Sequence, residues 1–259
     1  MSGTAKTVVV TGAASGIGRA TALKFALGMA DVFTCDLQYP ENIREELGDR
    51  NIRCAEADVR NIAAIQKVID HAVDETGRLD VLVNNAGVGL VRQIGEVTEA
   101  DWRNVMDTNL KAAFFGCKAA IFHMSQQSTG GAIVNVASNA GLLPRAHDPV
   151  YSISKMSLIG LTRSLALCHS KHKIRVNAVC PGPVGNTTLI EENFIGRPDR
   201  REVERELIQA SPLARALDRL ISPEEVADSI VYLASDAAQM ISGTSVAIDG
   251  GKSLGVPPE

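Results

Sequence analysis

Apolar residues fall along this chain in short dense runs, separated by longer stretches where they recur every three or four positions. Thr7-Val-Val-Val-Thr11 is β-branched throughout and ends at a glycine, as a strand buried on both faces should. Similar runs at Val32–Cys35, Ile52–Ala57, Val81–Val83, Ile133–Val136, Arg175–Val179 and Val246–Ile248 predict six more strands. The intervening periodicity predicts helices over about Ile17–Leu27, Glu41–Leu47, Ala63–Glu75, Asp101–Gln126, Ser152–His169 and Pro223–Ala234. The last of these has Ser222 placed to cap it and Pro223 at its first turn.

Strands alternating with helices of this length predict parallel βαβ units. The expected fold is α/β: a doubly wound, all-parallel sheet of about seven strands with helices on both faces. No linker or change of composition divides the chain, so residues 1–259 read as one domain. The stretch from Val184 to Ser222 breaks the rhythm. It carries Gly185, Gly196, Pro198 and the charged run Asp199–Glu206. Pro198 could open a short helix whose apolar stripe is only Val203 and Leu207. So thin a stripe packs weakly, and the segment reads either as a mobile cover over a site or as a solvated surface helix.

Composition narrows the class of protein. The 259 residues are 45% hydrophobic and 22% charged, with a net charge of −4, which gives no electrostatic reason to expect nucleic acid or an anionic membrane as partner. No apolar run approaches the ~20 residues of a membrane span. Met1–Lys6 lacks the pattern of an export signal. Cys35, Cys54, Cys117, Cys168 and Cys180 form no CxxC pair and read as reduced thiols, so a cytoplasmic location is expected. The five histidines lack metal-ligand spacing, and no metal is expected.

Two clusters carry chemistry. Thr11-Gly-Ala-Ala-Ser-Gly-Ile-Gly18 joins the first strand to the first helix. Glycines at 12, 16 and 18 let the backbone turn sharply, and a helix N-terminus can then face a pyrophosphate. Gly12, Ser15, Gly16, Ile17 and Gly18 are the expected contacts. Asp36, with Leu37 beside it, ends the second strand about 20 residues past the glycines, where a carboxylate can accept hydrogen bonds from an adenosine ribose. It would repel a 2′-phosphate by about 4 kcal/mol per unit-charge pair at ~4 Å and an effective dielectric near 20. Arg19 is the nearby residue that could offset this. NAD is therefore the expected cofactor.

The second cluster is Ser138, Tyr151 and Lys155. Residues at i and i+4 share a helix face, so the Lys155 ammonium can sit beside the Tyr151 phenol. Lowering a tyrosine pKa from about 10 to about 7 takes roughly 4 kcal/mol, within reach of one partly desolvated charge. Ser138 ends a predicted strand, the place where ligands gather in such sheets. Asn109 is a poor helix former among Val105, Met106, Ala112 and Ala113, which suggests a buried polar task.

Together with Asp58-Val59, Asn84-Asn-Ala-Gly87, Asn177 and Pro181-Gly182, these residues resemble the short-chain dehydrogenase/reductase family along nearly the whole chain. The resemblance implies a Rossmann-type domain. It implies Tyr151 as general acid-base, Lys155 lowering its pKa and binding the nicotinamide ribose, and Ser138 steadying the reacting oxygen. Substrate would thus meet Ser138 and Tyr151. It further implies that Asn109 bends its helix and holds a water, and that Asp58 and Val59 contact adenine. Asn85, Ala86 and Gly87 would line the middle of the cofactor, and Pro181, Gly182 and Val184 would border the nicotinamide. Where family members carry a threonine for the carboxamide, this chain has Asn186, followed by Thr187 and Thr188.

The expected activity is interconversion of a secondary alcohol and a ketone. Asn139, Arg145, His147 and Asp148 read either as pocket residues, which with Gln93 and the cover near Thr188–Phe194 favour a small polar substrate such as a polyol, sugar or hydroxy acid, or as a solvent-exposed loop. A 3-oxoacyl or steroid reductase is the alternative. A non-catalytic NADH-sensing protein is the alternative of another class, against which the complete set of Asn109, Ser138, Tyr151 and Lys155 argues. The helices over 101–126 and 152–169 are apolar on more than one face. In this family such helices pair across subunits, so a homodimer or homotetramer is expected.

Overall fold

The computed structural model describes residues 5–143, 145–191 and 199–255. Its centre is one parallel sheet. The strands are β1 (Thr7–Thr11), β2 (Asp31–Asp36), β3 (Arg53–Glu56), β4 (Val81–Asn84), β5 (Gly131–Val136), β6 (Ile174–Pro181) and β7 (Ser245–Ile248). Their spatial order is β3-β2-β1-β4-β5-β6-β7. The chain winds outward from β1 to β3, then returns to pair β4 with the other side of β1. That reversal opens a crevice beyond the carboxyl ends of β1 and β4, the usual place for a ligand in an open parallel sheet.

The helices are α1 (Gly16–Leu27), α2 (Glu41–Asp49), α3 (Ile62–Thr76), α4 (Glu99–Met106), α5 (Ala112–Met124), α6 (Pro149–His169), α7 (Thr188–Glu191), α8 (Arg200–Gln209), α9 (Pro212–Leu217) and α10 (Pro223–Ala234). Alternate strand residues serve the two faces. Val8, Val10 and Val83 pack with Phe25 of α1 and Ile230 and Leu233 of α10. Val9, Leu82 and Ile133 pack on the opposite side with Ile65 and Ile69 of α3 and Cys117 and Met124 of α5. Helix ends follow local chemistry. Asn61 accepts the Ala63 N–H at 3.1 Å to start α3, and Gly77, at φ +77°, ends it. Ser222 and Glu225 cap α10 reciprocally.

The structure departs from the sequence expectation in three places. The single helix expected over Asp101–Gln126 is two, α4 and α5, joined by a π-helical turn at Asp107–Lys111. The helix expected from Ser152 starts at Pro149. The stretch 184–222, expected to be largely irregular, holds α7, α8 and α9. Pro198, the expected helix start, and also Phe194 and Gly196, lie outside the described residues. The Asp199 carboxylate accepts the N–H groups of Arg201 and Glu202 at 2.9 and 3.2 Å and so caps α8. Val203 and Ile208 are its buried residues, while Leu207 is half-buried. No helix among the described residues is long and apolar enough to cross a membrane.

Candidate active site

β1 ends in the glycine turn. Gly12 and Gly16 adopt φ +68° and +52°, the left-handed region that a side chain disfavours. At Gly18 the limit is space: a Cβ there would stand 2.0 Å from the Gly12 carbonyl oxygen and 2.5 Å from Asn85 Nδ2. α1 therefore starts hard against the turn. Its N-cap residue, Ser15, makes no side-chain cap, and no acidic residue lies in the first turn. The first amides are thus left for an incoming anion, as a dinucleotide pyrophosphate requires.

Asp36 faces this turn. Its Oδ2 accepts the Ala14 N–H at 2.8 Å and its Oδ1 the Leu37 N–H at 2.7 Å. Leu37 itself is exposed. Arg19 pairs with Glu46 of α2, so the cation that could have answered a 2′-phosphate has a carboxylate of its own. Asp58 is held by Arg60, whose Nη2 lies 2.7 Å from Oδ2. Hydrogen bonding to this guanidinium keeps the carboxyl below its usual range. Val59 beside it is buried.

The segment after β4 is tied to the glycine turn from the other side. Asn85 Nδ2 donates to the carbonyls of Thr11 and Gly12 at 3.0 and 2.7 Å. Thr11 Oγ1 accepts the N–H groups of Asn85 and Ala86, each at 3.1 Å. Gly87 leaves room for two polar groups: a Cβ there would meet Asn109 Oδ1 and Lys155 Nζ, each at 3.3 Å.

Ser138, Tyr151 and Lys155 converge beyond the end of β5. All three are buried. Ser138 Oγ donates to Asn139 Oδ1 at 3.4 Å and accepts the Ala140 N–H at 3.1 Å, and the Lys155 ammonium lies 5.7 Å from the Tyr151 ring centre. Lys155 Nζ donates to the Val136 carbonyl at 2.9 Å. Burial pushes the Lys155 ammonium down to about 8. Burial also raises the Tyr151 phenol, against lowering by the nearby Ser138 hydroxyl and by the charge of Arg145. The expected lysine-driven fall in the tyrosine pKa is thus absent from the protein alone: desolvation, which disfavours both charged forms, is the largest cause at each group.

Asn109 sits inside the π turn and is 1% exposed. Its Oδ1 accepts the Val88 N–H at 2.8 Å. Its Nδ2 donates to the Val88 carbonyl and to Ser154 Oγ, each at 3.0 Å. The side chain thus clamps the loop after Gly87 to the helix of Tyr151, and a water-binding role would fall to its backbone.

Pro181 ends β6, and the Gly182 N–H donates to the Ile248 carbonyl at 2.9 Å. Val184 is buried and pairs with Ile221. Asn186 is exposed at φ +54°. Thr187 Oγ1 donates to the Val184 carbonyl at 2.9 Å. Thr188 Oγ1 lies 3.4 Å from Ser15 Oγ. α7 therefore rests against the glycine turn.

Asn135 and Thr162 are the residues of this centre that the sequence reading missed. Asn84 donates to Asn135 Oδ1 at 2.8 Å, and Asn135 donates to Thr162 Oγ1 at 2.9 Å, a buried polar chain linking β4, β5 and α6. An asparagine inside the apolar run of β5 was the available hint. Asn177 belongs to the scaffold: it donates to the Ile241 carbonyl at 2.8 Å and accepts the Thr244 N–H at 3.2 Å. Asp148 is buried one turn before Tyr151, which no periodicity discloses.

Comparison with known proteins places this geometry. Residues 12–253 match the family model described as enoyl-(acyl carrier protein) reductase. The 2-dehydro-3-deoxy-D-gluconate 5-dehydrogenase of Escherichia coli is 35% identical over 256 residues, covering 95% of this chain and 94% of that protein. The 3beta-hydroxysteroid dehydrogenase 2 of Eggerthella lenta is 33% identical over 252 residues, with 95% and 94% covered. Among solved structures, ligand-free aldohexose dehydrogenase of Thermoplasma acidophilum matches with a TM-score of 0.87 and 33% identity, over 98% of this chain and 96% of that one. ElxO with NADP bound matches with a TM-score of 0.86 and 29% identity, over 97% and 100%. A glycine turn facing an acid-ended strand, a buried Ser-Tyr-Lys cluster clamped by an asparagine, and full-length similarity to such oxidoreductases make one assignment: the chain belongs to the short-chain dehydrogenase/reductase family.

Proposed function

We propose that this protein is an NAD-dependent dehydrogenase/reductase that interconverts a secondary alcohol and a ketone. The observation that carries the reading is the burial of Ser138, Tyr151 and Lys155 against one another beside Gly87. When bound, the nicotinamide supplies the hydride acceptor and a positive charge that opposes the effect of burial on the phenol. Tyr151 takes the hydroxyl proton in oxidation and returns it in reduction. Ser138 holds the reacting oxygen and the phenol together. Lys155 binds the nicotinamide ribose, and Asn109 fixes the distance between the Gly87 loop and α6. Gly12, Ser15, Gly16, Ile17 and Gly18 face the pyrophosphate. Asp36 and Leu37 serve the ribose, Asp58 and Val59 the adenine, Asn85 to Gly87 the cofactor's middle, and Pro181, Gly182 and Val184 the nicotinamide.

The choice of NAD over NADP is supported by Asp36 and by the engagement of Arg19 with Glu46. A small polar substrate is supported by the polar loop before Tyr151, and by relatives named for a sugar acid and an aldohexose. The Eggerthella relative favours a second reading, a steroid substrate. Residues 1–259 form one domain, in which the segment 184–222 covers the site. The protein works in the cytoplasm as a homodimer or homotetramer. Phe114 and Phe122 of α5 and Ile153 and Met156 of α6 support self-association, being large, apolar and exposed in the single chain; light scattering at micromolar concentration should give twice or four times the chain mass, and a monomer would rule this out.

Replacing Tyr151 by Phe tests the reaction. Turnover with a panel of secondary alcohols, followed by NADH absorbance, should fall by about 10²–10⁴-fold, while NADH binding changes little. Activity within tenfold of the parent removes Tyr151 from the role.

A further inference from the structure

We propose that Ser154 is a positioning residue of the reaction: through Asn109 it fixes the gap between the Gly87–Val88 loop and Lys155, and so the seat of the nicotinamide ribose. This rests on the oxidoreductase reading above, in which Lys155 holds that ribose and Asn85 to Gly87 line the cofactor beside it.

Ser154 precedes Lys155 on α6 and is buried. An alanine there would serve the helix better, so the hydroxyl is the part that the helix does not need. Its proton goes to the Tyr151 carbonyl at 2.7 Å. With its single donor spent, the oxygen is left to accept, and it accepts Asn109 Nδ2 at 3.0 Å. Asn109 spends the rest of its amide on Val88. Its Oδ1 accepts the Val88 N–H at 2.8 Å, and Nδ2 also donates to the Val88 carbonyl at 3.0 Å. That two-point pairing fixes Asn109 to the loop. Among the described residues, Ser154 is the α6 side chain that hydrogen-bonds Asn109. The clamp therefore grips the tyrosine helix at this hydroxyl.

The gap that the clamp sets is narrow. A Cβ at Gly87 would stand 3.3 Å from Asn109 Oδ1 and 3.3 Å from Lys155 Nζ, so loop, amide and ammonium meet at one point. Lys155 has its own anchor, the Val136 carbonyl of β5, at 2.9 Å. The ammonium is thus tied to the sheet, while the loop is tied to α6 through Asn109 and Ser154. Asn109 and Ser154 are both buried, and a buried N–H without its acceptor is costly. If the Ser154 oxygen is removed, Asn109 must turn toward another acceptor and carry Val88 with it. Lys155 stays where Val136 holds it, and the two walls of the ribose seat lose their register.

The test compares two buried serines of one helix. Ser154→Ala keeps the pairing of Asn109 with Val88 and cuts its link to α6. Ser152→Ala removes a hydroxyl that donates to Asp148 Oδ1 at 3.2 Å and makes no hydrogen bond to Asn109 among the described residues. Ser154→Ala should remain folded, by circular dichroism and denaturant unfolding. Its kcat on the secondary-alcohol panel should fall by about tenfold or more, and NADH should bind several-fold more weakly. The alcohol KM should change little, because Ser138 and the Tyr151 hydroxyl are untouched. Ser152→Ala should match the parent in all three. Adding Ser154→Ala to Asn109→Ala should lower kcat no further, as expected of two residues that act through one link. Parent-like kcat and NADH affinity in Ser154→Ala, loss of its fold, an equal loss in Ser152→Ala, or additive losses in the double variant overturns the proposal while the oxidoreductase reading stands. If the parent turns over no alcohol of the panel, that reading fails, and the clamp is judged by fluorescence titration of NADH alone. The weakening in Ser154→Ala but not in Ser152→Ala should then persist, and its absence overturns the clamp as well.

Discussion

The glycine turn and the tyrosine site lie two strands apart at the same end of the sheet, and they are built from different materials. The turn is made of backbone: left-handed Gly12 and Gly16, the close approach at Gly18, and uncapped amides opening α1. The tyrosine site is made of buried titratable side chains, Tyr151 and Lys155, whose charged forms are both penalised by burial. A site of the first kind is fixed by shape and insensitive to pH. A site of the second kind is maintained against an electrostatic cost, and the surrounding fold must supply the stability that it takes away.

That contrast can be broken by substitution. The largest effect is expected at the turn. Gly18→Ala puts a methyl 2.0 Å from the Gly12 carbonyl oxygen. The variant should lose about 3 kcal/mol or more of stability and most of its NADH affinity, read by denaturant unfolding and by fluorescence titration. A stable, NADH-binding variant would mean the turn is not shape-limited.

Lys155→Met should act in the opposite sense on stability. With the folded-state pKa near 8 and an ordinary value of 10.5, the folded chain binds this proton less tightly than the unfolded chain. Burial of the ammonium therefore costs about 3 kcal/mol below pH 8, and the cost fades as pH rises from 8 toward 10.5. Part of any gain is offset because the Val136 carbonyl loses a donor. The ligand-free variant should be about 1–2 kcal/mol more stable than the parent at pH 7 and lose that advantage above pH 10, while turnover is abolished. A gain that ignores pH, or no gain, would show that the buried lysine is not destabilising.

Asp36→Ala is the mildest of the three. It removes acceptors for the Ala14 and Leu37 amides, worth about 1 kcal/mol of stability. It should also narrow the proposed preference for NAD over NADP. Unchanged cofactor preference would place selectivity elsewhere, Arg19 being the first residue to examine.

The two regions also differ in how far they could be read from sequence. The turn was legible because its requirement is local: the glycine spacing names the positions where a side chain does not fit. The strands were legible for the same reason, and all seven fall where their apolar runs lie. At the tyrosine site the spacing of Tyr151 and Lys155 gave the pair, but the balance of burial against charge depends on groups outside that helix, such as Val136 and Arg145. The π turn at Asp107–Lys111 left a trace only in Asn109, because the extra residue is absorbed by a contact with Val88, 21 positions away. α8 was expected to open at Pro198 with Val203 and Leu207 as its stripe, yet its buried edge runs through Val203 and Ile208, since the partner surface, not the helix, selects the face.

The polar chain through Asn84, Asn135 and Thr162 has a consequence for how this sequence can change over generations. Each polar group answers the next inside the buried core, so altering one member strands its neighbour. A drifting lineage would have to exchange these positions in concert, or hold all of them still. In a random variant library they should therefore behave as one inherited unit rather than as three independent letters.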